Sequence, residues 1–570
     1  MSMDKFRILV EKEISKVVKQ PFQLEVPQDP KHGDFALPCF LFAKELKKNP
    51  AMIAQELAGK IKPKGVIRNV VALGAYVNVY LDPTLVSEEI IGTILKEKKS
   101  FGAQKPKKKE TIRKETIVLE YPSPNTNKPL HLGHLRNMFY SKSVQNLLTF
   151  AGHKTITTNL NNDRGVHICK SMLAYKKFAN GTKPDKKPDH FVGDMYVLFN
   201  EKLKDFPDLE KEAQVMLQRW EENDAEIRKL WKLMNAWALQ GFSETYARLG
   251  MKFDRVFNES EFYDKGKMVV EEGLKKGIFE KQEDGSVKVL LEKHGLPDKI
   301  ILRADGTSIY ITQDMYLAKL KQELFKFDKS LTVTAIEQIL HFQQLKKILE
   351  LLGYAWAKNY EHLSYGMVNL PTGRMKSREG TVVDADDLLD EVENLALQEI
   401  AKRHKELPEK EMKQRATQIG VGALKFFILK MDPQKDMTYH PEESLSFEGE
   451  TGPYVQYAHA RICSILRKHG KALPKNIDTA KLTHDLEQNI VRKLGEFPSV
   501  IDAATRAYKP SIVCHYLLAV SQLFNEYYHQ VQILQADEET KIARLALATA
   551  VQTVLANGLM LLEIEAPQEM

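Results

Sequence analysis

The chain has 570 residues, of which 43% are hydrophobic, 28% are charged and 9% are aromatic, and its formal net charge is +7. A single hydrophobic core stops growing near roughly 250–300 residues, so this length predicts two to four domains and excludes a small binding module. The charge excess is too small, as an average, to indicate nucleic-acid binding; its location along the chain matters more than its size.

The four cysteines lie far apart and lack the C-x-x-C or Cys/His spacing of a zinc site. We therefore expect reduced, buried thiols and no permanent metal. Residues 1–13 carry charges every few positions instead of the apolar core of a signal peptide, which predicts a cytoplasmic protein. The most apolar stretch, 545–562, is interrupted by polar residues, which favours a buried bundle helix over a membrane span.

Helical and strand-like patterns alternate near the N-terminus. Residues 5–19 have helical periodicity, and residues 70–81 read VVALGAYVNVYL, an alternating β-branched pattern that predicts a strand. We expect a small α+β domain over residues 1–110. The segment 105–114 holds six basic residues and one acidic residue, so it carries most of the net charge. It is either a solvated linker or a basic hinge that contacts a polyanion.

A strand, a tight loop and a helix follow this segment. Residues 116–121, TIVLEY, predict a buried parallel strand, and residues 134–150 are helical, an order that opens a doubly wound, Rossmann-like parallel sheet. We expect this multidomain α/β chain to contain a catalytic domain at 111–430 and an all-α bundle at 431–570. Within the catalytic domain we expect a strand at 154–160, a helical and connective insertion at about 171–300, and strand-like pieces at 287–291, 299–302 and 331–335.

The string His131-Leu132-Gly133-His134 lies where the first strand leads into a helix. Backbone N–H groups and the helix dipole favour anions there, and imidazoles can donate hydrogen bonds to phosphate oxygens. Downstream, residues 373–380 read GRMKSREG, a basic loop whose charges suit a pyrophosphate leaving group. Each string has a plainer explanation alone, as capping histidines or a charged surface loop, but their joint presence favours an ATP site.

These strings resemble the HIGH and KMSKS signatures of class I aminoacyl-tRNA synthetases. The resemblance is closest to the arginyl enzymes, covers essentially the whole chain, and implies ATP-dependent attachment of L-arginine to tRNA(Arg) through an arginyl-adenylate. ATP is then a substrate, with Mg²⁺ accompanying it. The strings that carry the arginyl resemblance are EYPSPNTNKPLHLGHLRN at 120–137, YITQD at 310–314, EQILHFQQ at 337–344 and GPYVQYAHARI at 452–462.

The resemblance also implies an arginine-binding set. A guanidinium group requires a carboxylate in fork geometry, and by similarity its partner is Asp314, four residues after Tyr310 on one face of a helical turn. Without the resemblance, this spacing is typical of an ordinary helix surface pair. Glu259 is a weaker candidate for a second carboxylate. The remaining arginine-binding candidates are Glu120, Ser123, Asn125 and Gln338.

For the nucleotide, the resemblance implies catalytic roles for His131 and His134. It implies ATP binding by these two histidines together with Gly133, Met375 and Lys376. No general base is required, because the carboxylate of arginine is itself the nucleophile on the α-phosphate.

The second signature departs from the family pattern. It reads RMKSR, so Ser377 stands where a second lysine is usually credited with stabilising pyrophosphate. The resemblance to arginyl enzymes with such loops predicts that Lys128, three residues before His131, supplies that charge as a catalytic residue. Lys376 and Arg378 are the other catalytic candidates.

The C-terminal third resembles an anticodon-binding bundle, and the N-terminal region resembles a module that holds the tRNA elbow. Splayed bases stack on aromatic and arginine side chains, although each tyrosine is equally well explained as core at helical spacing. We expect tRNA(Arg), L-arginine and ATP as partners, no membrane, a monomer, and a requirement for bound tRNA before arginine is activated. The predicted tRNA-binding residues are Tyr454, Tyr457, Arg461, Lys107 and Lys108.

Two other classes of function stay open on sequence alone. One is a different class I synthetase or a small H-x-G-H nucleotidyltransferase, although the latter lacks the N-terminal module and the helical C-terminal third. The other is a non-catalytic RNA-binding paralogue that kept the fold and lost the chemistry. The presence of both signature histidines, Asp314 and Gln338 weighs against this second alternative.

Overall fold

The chain divides into two compact units. The first unit contains Met1–Lys105, Leu407–Phe426 and Ser446–Met570, and the second contains Pro106–Glu406 and Phe427–Leu445. The computed structural model describes residues 3–27, 29–103, 114–179, 181–370, 373–374, 383–404, 406–440 and 449–570.

The N-terminal part of the first unit contains a three-stranded antiparallel sheet in the order β1-β3-β2, with α3 packed on β2 and β3. Its elements are α1 (Met3–Ile14), β1 (Phe35–Pro38), α2 (Phe40–Leu46), α3 (Pro50–Lys60), β2 (Ile67–Leu73), β3 (Tyr76–Leu81) and α4 (Pro83–Glu97).

The stretch 70–81, whose alternating pattern is strand-like, forms a hairpin of two strands. β2 and β3 pair antiparallel on either side of Gly74, whose φ of +58° lies in the left-handed region that a residue without a Cβ reaches easily. Side chains alternate in the same way along one strand or two, so the pattern alone does not reveal the turn.

The second unit is built on a five-stranded parallel sheet in the order β11-β10-β4-β5-β6. In chain order its elements are β4 (Thr116–Glu120), α5 (Leu132–Phe150), β5 (Lys154–Asn161), α6 (Val166–Phe178), α7 (Pro188–Lys202), α8 (Leu209–Glu221), α9 (Ala225–Arg248), β6 (Arg255–Asn258), α10 (Gly266–Lys275), β7 (Phe279–Lys281), β8 (Val287–Val289), β9 (Lys299–Leu302), α11 (Tyr310–Phe325), β10 (Lys329–Ala335), α12 (Ile339–Leu351), β11 (Tyr360–Tyr365), β12 (Val368–Leu370), β13 (Gly373–Arg374), α13 (Ala385–Arg403), α14 (Glu409–Lys430), which both units share, and β14 (Met437–Thr438).

The doubly wound sheet predicted from the sequence is confirmed. β4 is almost wholly buried, as expected for a parallel strand covered on both faces. The chain runs outward from β4 through β5 to β6, and then returns to β10 and β11 on the other side of β4. This reversal opens a crevice at the carboxyl ends of the strands, which is where doubly wound sheets bind their ligands.

Two of the predicted strand pieces do not join this sheet. Residues 287–291 and 299–302 contain β8 and β9, which form a separate antiparallel sheet with β7. Short apolar runs are alike in any sheet, so their pattern does not tell which sheet they enter. The helices α6 to α9 lie between β5 and β6 and have their own core around the buried Trp220.

The C-terminal part of the first unit is helical. By length and composition α19 is apolar enough to cross a membrane, but it lies in contact with α4, α15 and α18 and most of its apolar side chains are buried, which favours the core of a bundle. The Arg492 guanidinium pairs with buried Asp34, which joins this bundle to the N-terminal sheet. The helices are α15 (Gly452–His469), α16 (Asp485–Gly495), α17 (Phe497–Ala507), α18 (Pro510–Gln530) and α19 (Glu538–Leu561).

Candidate active site

The His131–His134 segment forms the N-terminal cap of α5. Nδ1 of His131 accepts a hydrogen bond from the Gly133 N–H at 3.1 Å, and Nδ1 of His134 accepts one from the His131 N–H at 3.1 Å. Because both Nδ1 atoms are acceptors, each neutral ring carries its proton on Nε2. A Cβ on Gly133 would lie 3.0 Å from the His131 ring, so no larger residue fits without displacing the imidazole.

Burial keeps both imidazoles uncharged. It lowers the pKa of His131 to about 3 and that of His134 well below its ordinary value, and the positive charge of Lys128 acts in the same direction. The two histidines therefore offer neutral N–H donors, and the positive charge in this region comes from Lys128.

Lys128 and His131 line a cavity of about 220 Å³. The opposite wall comes from α7 and from Asp384, the N-cap of α13, whose carboxylate lies 3.2 Å from Nε2 of His190. Burial lowers the pKa of Lys128. The cavity thus brings a predicted catalytic lysine and the first signature histidine onto one surface.

The loop after β4 is fixed by the end of β5 and by the residue that follows β5. The Ser123 N–H donates to Asn159 Oδ1 at 3.2 Å, and the Asn162 amide donates to the Ser123 carbonyl at 3.0 Å. Asn125 forms an isolated parallel bridge with Asn162. Ser123 has a φ of +56°, an unfavourable value for a residue with a Cβ, which these contacts hold in place.

Glu120, the last residue of β4, is 5% exposed and its carboxylate lies 3.0 Å from Nζ of Lys321. Lys321 is fully buried on α11, two helical turns after Asp314. The predicted arginine-binding carboxylate Glu120 therefore forms a buried ion pair with the helix that carries Tyr310 and Asp314.

Asp314 and Gln338 approach the same end of the sheet from α11 and from the start of α12. Gln338 ends the short 3₁₀ turn between β10 and α12 and is exposed, and Tyr310 is the exposed first residue of α11. Oδ2 of Asp314 lies 2.7 Å from Nε2 of His341, three residues after Gln338.

Glu259 lies buried after β6 beside Arg164, at 3.6 Å. Burial raises the pKa of Glu259 to about 7; Arg164 opposes the shift, and the charges of Asp163 and Asp314 add to it. Gly165, the N-cap of α6, has a φ of +123°, which favours glycine at this turn.

The tRNA-binding candidates at the start of the C-terminal bundle lie on α15. The Arg461 guanidinium lies between the rings of Tyr457 and Tyr528, at 4.7 and 4.8 Å from their centroids, and donates to Asn525 Oδ1. Tyr457 is 38% exposed, so it is available to a ligand, while Tyr454 is half-buried.

Five predicted site residues lie outside the described residues. They are Met375, Lys376 and Arg378 of the second signature and Lys107 and Lys108 of the basic segment.

Comparisons with known proteins agree with these features. The family models "tRNA synthetases class I (R), catalytic domain", "DALR anticodon binding domain" and "Arginyl tRNA synthetase N terminal domain" match residues 94–440, 455–570 and 4–81. A protein of Treponema pallidum named arginine–tRNA ligase is 43% identical over 561 residues, which is 96% of this chain and 94% of that protein. The chain belongs to the class I arginyl-tRNA synthetases.

Other relatives of this synthetase are similar along their whole length. An arginine–tRNA ligase of Treponema denticola is 42% identical, covering 96% of this chain and 95% of that protein. The solved arginyl-tRNA synthetase of Thermus thermophilus has a TM-score of 0.79 at 24% identity, covering 99% of this chain and 100% of that chain. The Plasmodium falciparum enzyme has a TM-score of 0.78 at 18% identity, covering 100% and 99%. Identities this low show a shared fold.

Several residues of the synthetase site were not predicted. Lys321 and His341 hold two of the predicted carboxylates, and Tyr528 completes the stack on Arg461. His341 could have been predicted, because it lies within the EQILHFQQ string three residues after Gln338, and residues at that spacing are neighbours on a helix. Lys321 and Tyr528 carried none, because their partners are far away in the sequence.

Arg136, in the second turn of α5, binds the chain on both sides of the second signature. The guanidinium is 2% exposed and donates to the carbonyls of Gly366 and Met367 at 2.8 and 3.1 Å, and to those of Pro433 and Lys435 at 3.0 and 2.7 Å. A buried guanidinium satisfied by carbonyls alone serves a structural purpose, because it holds four backbone groups in place.

The chain that follows the second signature is also held by the HIGH segment. The Leu132 N–H donates to the Val383 carbonyl at 3.0 Å, and the Ala385 N–H donates to the Leu130 carbonyl at 3.0 Å. The chain just after the second signature is thus joined to the chain around the start of α5 through backbone groups.

A cluster of Asp189, His190 and Asp386 between α7 and α13 has the donor atoms of a metal site, all within 4.8 Å of one another. The Lys187 ammonium, however, pairs with both aspartates, at 3.2 and 2.6 Å. Asp384 and Asp386 together raise the pKa of His190 to about 10, so it is also a cation at neutral pH. Two protein cations neutralise this cluster, which favours an ion-pair contact between helices.

Proposed function

We propose how particular residues carry out the reaction of this family. The synthetase attaches L-arginine to tRNA(Arg) in translation; it uses ATP, forms an arginyl-adenylate, and releases AMP and pyrophosphate. The observation that carries the residue assignment is geometric: the Asp314 carboxylate lies 2.7 Å from His341 at the start of α12, and the HIGH segment begins α5, so both follow the carboxyl ends of the neighbouring parallel strands β10 and β4.

The guanidinium of arginine pairs with Asp314, with Tyr310 beside it and Glu259 as the second carboxylate. A planar fork of N–H donors satisfies two carboxylates better than a lysine ammonium does, which favours arginine as the substrate. The polar atoms of Ser123, Asn125, Gln338 and Glu120 are suited to the α-amino and carboxylate groups. The fixed loop after β4 supports this assignment, because pre-ordered groups lose less entropy on binding.

His131 and His134 donate their Nε2–H groups to the phosphates of ATP, and Gly133 leaves room for the nucleotide. Lys128 supplies the charge that stabilises the departing pyrophosphate, with Met375, Lys376 and Arg378 acting from the second signature. Catalysis then consists of positioning and charge stabilisation, without a protein base, because the arginine carboxylate attacks the α-phosphate itself.

Mg²⁺ accompanies ATP and reduces the repulsion between its phosphates. Asp194 and Asp384, which line the cavity beside Lys128, are already paired with Lys186 and His190. Phosphate oxygens are therefore the expected ligands, as is usual for this ion.

For tRNA, we propose that Tyr454, Tyr457 and Arg461 contact anticodon bases and that Lys107 and Lys108 contact the backbone. The exposed stack around Arg461 supports the first of these contacts, because unpaired bases bind aromatic and guanidinium faces. We further propose the domain bounds 1–110, 111–430 and 431–570, a cytoplasmic monomer, and no membrane association.

Two experiments test this function. Total tRNA should be charged with labelled arginine, and pyrophosphate exchange should depend on arginine and on tRNA, with lysine and cysteine inactive. Charging of tRNA with a different amino acid would show that the chain is a class I synthetase for that amino acid. Pyrophosphate exchange by a protein that does not bind RNA would favour a small nucleotidyltransferase. RNA binding without aminoacylation would favour a non-catalytic paralogue.

A further inference from the structure

Asp314 is held by a side chain from a neighbouring helix. Nε2 of His341, in the first turn of α12, lies 2.7 Å from Oδ2 of Asp314 on α11. Both side chains are largely buried, at 18% and 27% exposure. A carboxylate only accepts hydrogen bonds, so His341 donates its Nε2 proton.

The environment of the imidazole restricts its orientation. The His341 ring packs edge-on against Phe342, and the Phe342 ring stacks on His362 at 4.5 Å. His362 is itself fixed to β10, because its Nε2 lies 2.7 Å from Oγ1 of Thr334. A series of contacts thus connects the central sheet to the donor that reaches Asp314.

Fork recognition of a guanidinium depends on the plane of the carboxylate. Two parallel N–H···O bonds form only when the carboxylate and guanidinium planes coincide. An aspartate side chain that rotates freely makes one of these two hydrogen bonds at a time. A hydrogen bond from the side to Oδ2 leaves further lone pairs on both oxygens for the substrate. It also removes rotational freedom before arginine arrives, which is the usual gain from pre-organisation.

We propose that His341 is a positioning residue for arginine specificity, which orients the Asp314 carboxylate to receive the guanidinium fork. The proposal rests on the role of Asp314 given above. His341 acts through Asp314 and stands beside Gln338 at the start of α12, so one helix start serves both ends of the amino acid.

The test compares arginine and ATP kinetics in tRNA-dependent pyrophosphate exchange by the full-length enzyme. His341→Ala should raise the KM for arginine about tenfold and leave the KM for ATP within twofold. His341→Gln should recover most of this loss, because its amide nitrogen can replace Nε2 as a donor. His294→Ala, which removes an exposed histidine beyond β8, is the matched control and should behave as wild type.

A double-mutant cycle with Asp314→Asn separates this inference from the function on which it rests. In the Asp314→Asn background, His341→Ala should change the arginine KM less than twofold. A wild-type arginine KM in His341→Ala, or an undiminished tenfold effect in the double variant, would overturn the positioning role. A wild-type arginine KM in Asp314→Asn alone would overturn the role of Asp314. If His341→Ala does not fold, the same cycle is run with His341→Leu, and His341→Gln must then exceed it in arginine affinity.

Discussion

At the carboxyl end of the central sheet, charged side chains are buried in pairs, as in Glu120 with Lys321 and Glu259 with Arg164. On the C-terminal bundle, Arg461 lies between two tyrosines that are 38% and 39% exposed. At the sheet, the charged groups are removed from water, so a group that loses its partner has few other groups to pair with. On the bundle, the faces of the aromatic rings remain accessible to a ligand. The difference predicts large, cooperative effects of mutation at the sheet and small effects on the bundle that do not exceed additivity.

The largest effect is expected at His131. His131→Asn retains an oxygen that can accept the Gly133 N–H and cap α5, but it loses the Nε2–H donor. We expect kcat for pyrophosphate exchange to fall by about 10²–10³, the usual loss for one transition-state donor, with an unchanged melting temperature. His131→Gln is the converse control, which keeps a donor and loses the cap. A kcat for pyrophosphate exchange in His131→Asn within tenfold of wild type would exclude the donor role of His131.

Lys128 comes next. Lys128→Ala should slow adenylate formation at least tenfold and spare tRNA affinity, because the ammonium beside His131 is removed while the tRNA-binding residues are unchanged. Single-turnover adenylate formation and a filter-binding titration measure the two quantities. Lys154→Ala, at the exposed start of β5, is the control. Near-normal turnover would reject the assignment and leave the pyrophosphate charge to the second signature.

Glu259 should make arginine affinity depend on pH. Its pKa is raised to about 7, so the side chain is mostly neutral at pH 6 and ionised at pH 8. The KM for arginine should therefore fall several-fold as pH rises through 7 in the wild type, and stay high and flat in Glu259→Gln. Glu261→Gln, at an exposed position, should keep the wild-type profile. A pH-dependent KM in Glu259→Gln would assign the titration to another group.

The same shift has a consequence for stability. The folded state binds the Glu259 proton more tightly than the unfolded state does, so this group's contribution to stability falls as pH rises from about 4.5 to 7. Glu259→Gln should melt no lower than the wild type at pH 8. A lower melting temperature would show that the ionised carboxylate is stabilised by Arg164 more than burial penalises it.

On the bundle, Tyr457→Ala and Tyr528→Ala should each raise the KM for tRNA about fivefold, the lower end for loss of one stacked base, with arginine and ATP constants unchanged. Phenylalanine at either position should restore the wild-type value. Because both rings contact Arg461, the double variant should lose no more than the product of the single effects. A much larger, cooperative loss in aminoacylation assays would remove the contrast with the sheet site.

The smallest effect on affinity is expected in the basic segment. Replacing Lys107, Lys108 and Lys109 by glutamine should weaken tRNA binding modestly at low salt and reduce the slope of log K against log salt by about two to three. Binding isotherms at four salt concentrations measure this slope. An unchanged slope would identify the segment as a solvated linker.

The sequence predicted the framework of the sheet site well, because its signals are local. β4, the loop after it and α5 are consecutive in the chain. A short apolar run predicts the strand, and helical periodicity with an N-terminal cap predicts the helix, so the two elements are easily told apart. The hairpin at 70–81 was missed because a turn on one glycine leaves the alternation intact. The sheet containing β8 and β9 was missed because strand pairing depends on the distant surfaces that each strand covers.

The partners of the site residues were the least predictable part. Lys321 reaches Glu120 across 201 positions, and His341 reaches Asp314 across 27. Resemblance to a family identifies the residues that contact a substrate, but it does not identify the residues that position them. Lys321 follows from the requirement that a buried charge be satisfied, which only the folded chain reveals, whereas His341 lies within the EQILHFQQ string and could have been found from it.

The attachment of both sides of residues 371–382 to α5 gives the chain evolutionary freedom. Arg136 and the backbone bridge at Val383 make no use of the side chains between them, so substitutions in that stretch leave its two ends in register with the HIGH segment. A lineage could therefore exchange a signature lysine for Ser377 and recruit a cation elsewhere without rebuilding the scaffold. The departure at Ser377 is therefore compatible with a scaffold whose flanking chain is held by main-chain atoms.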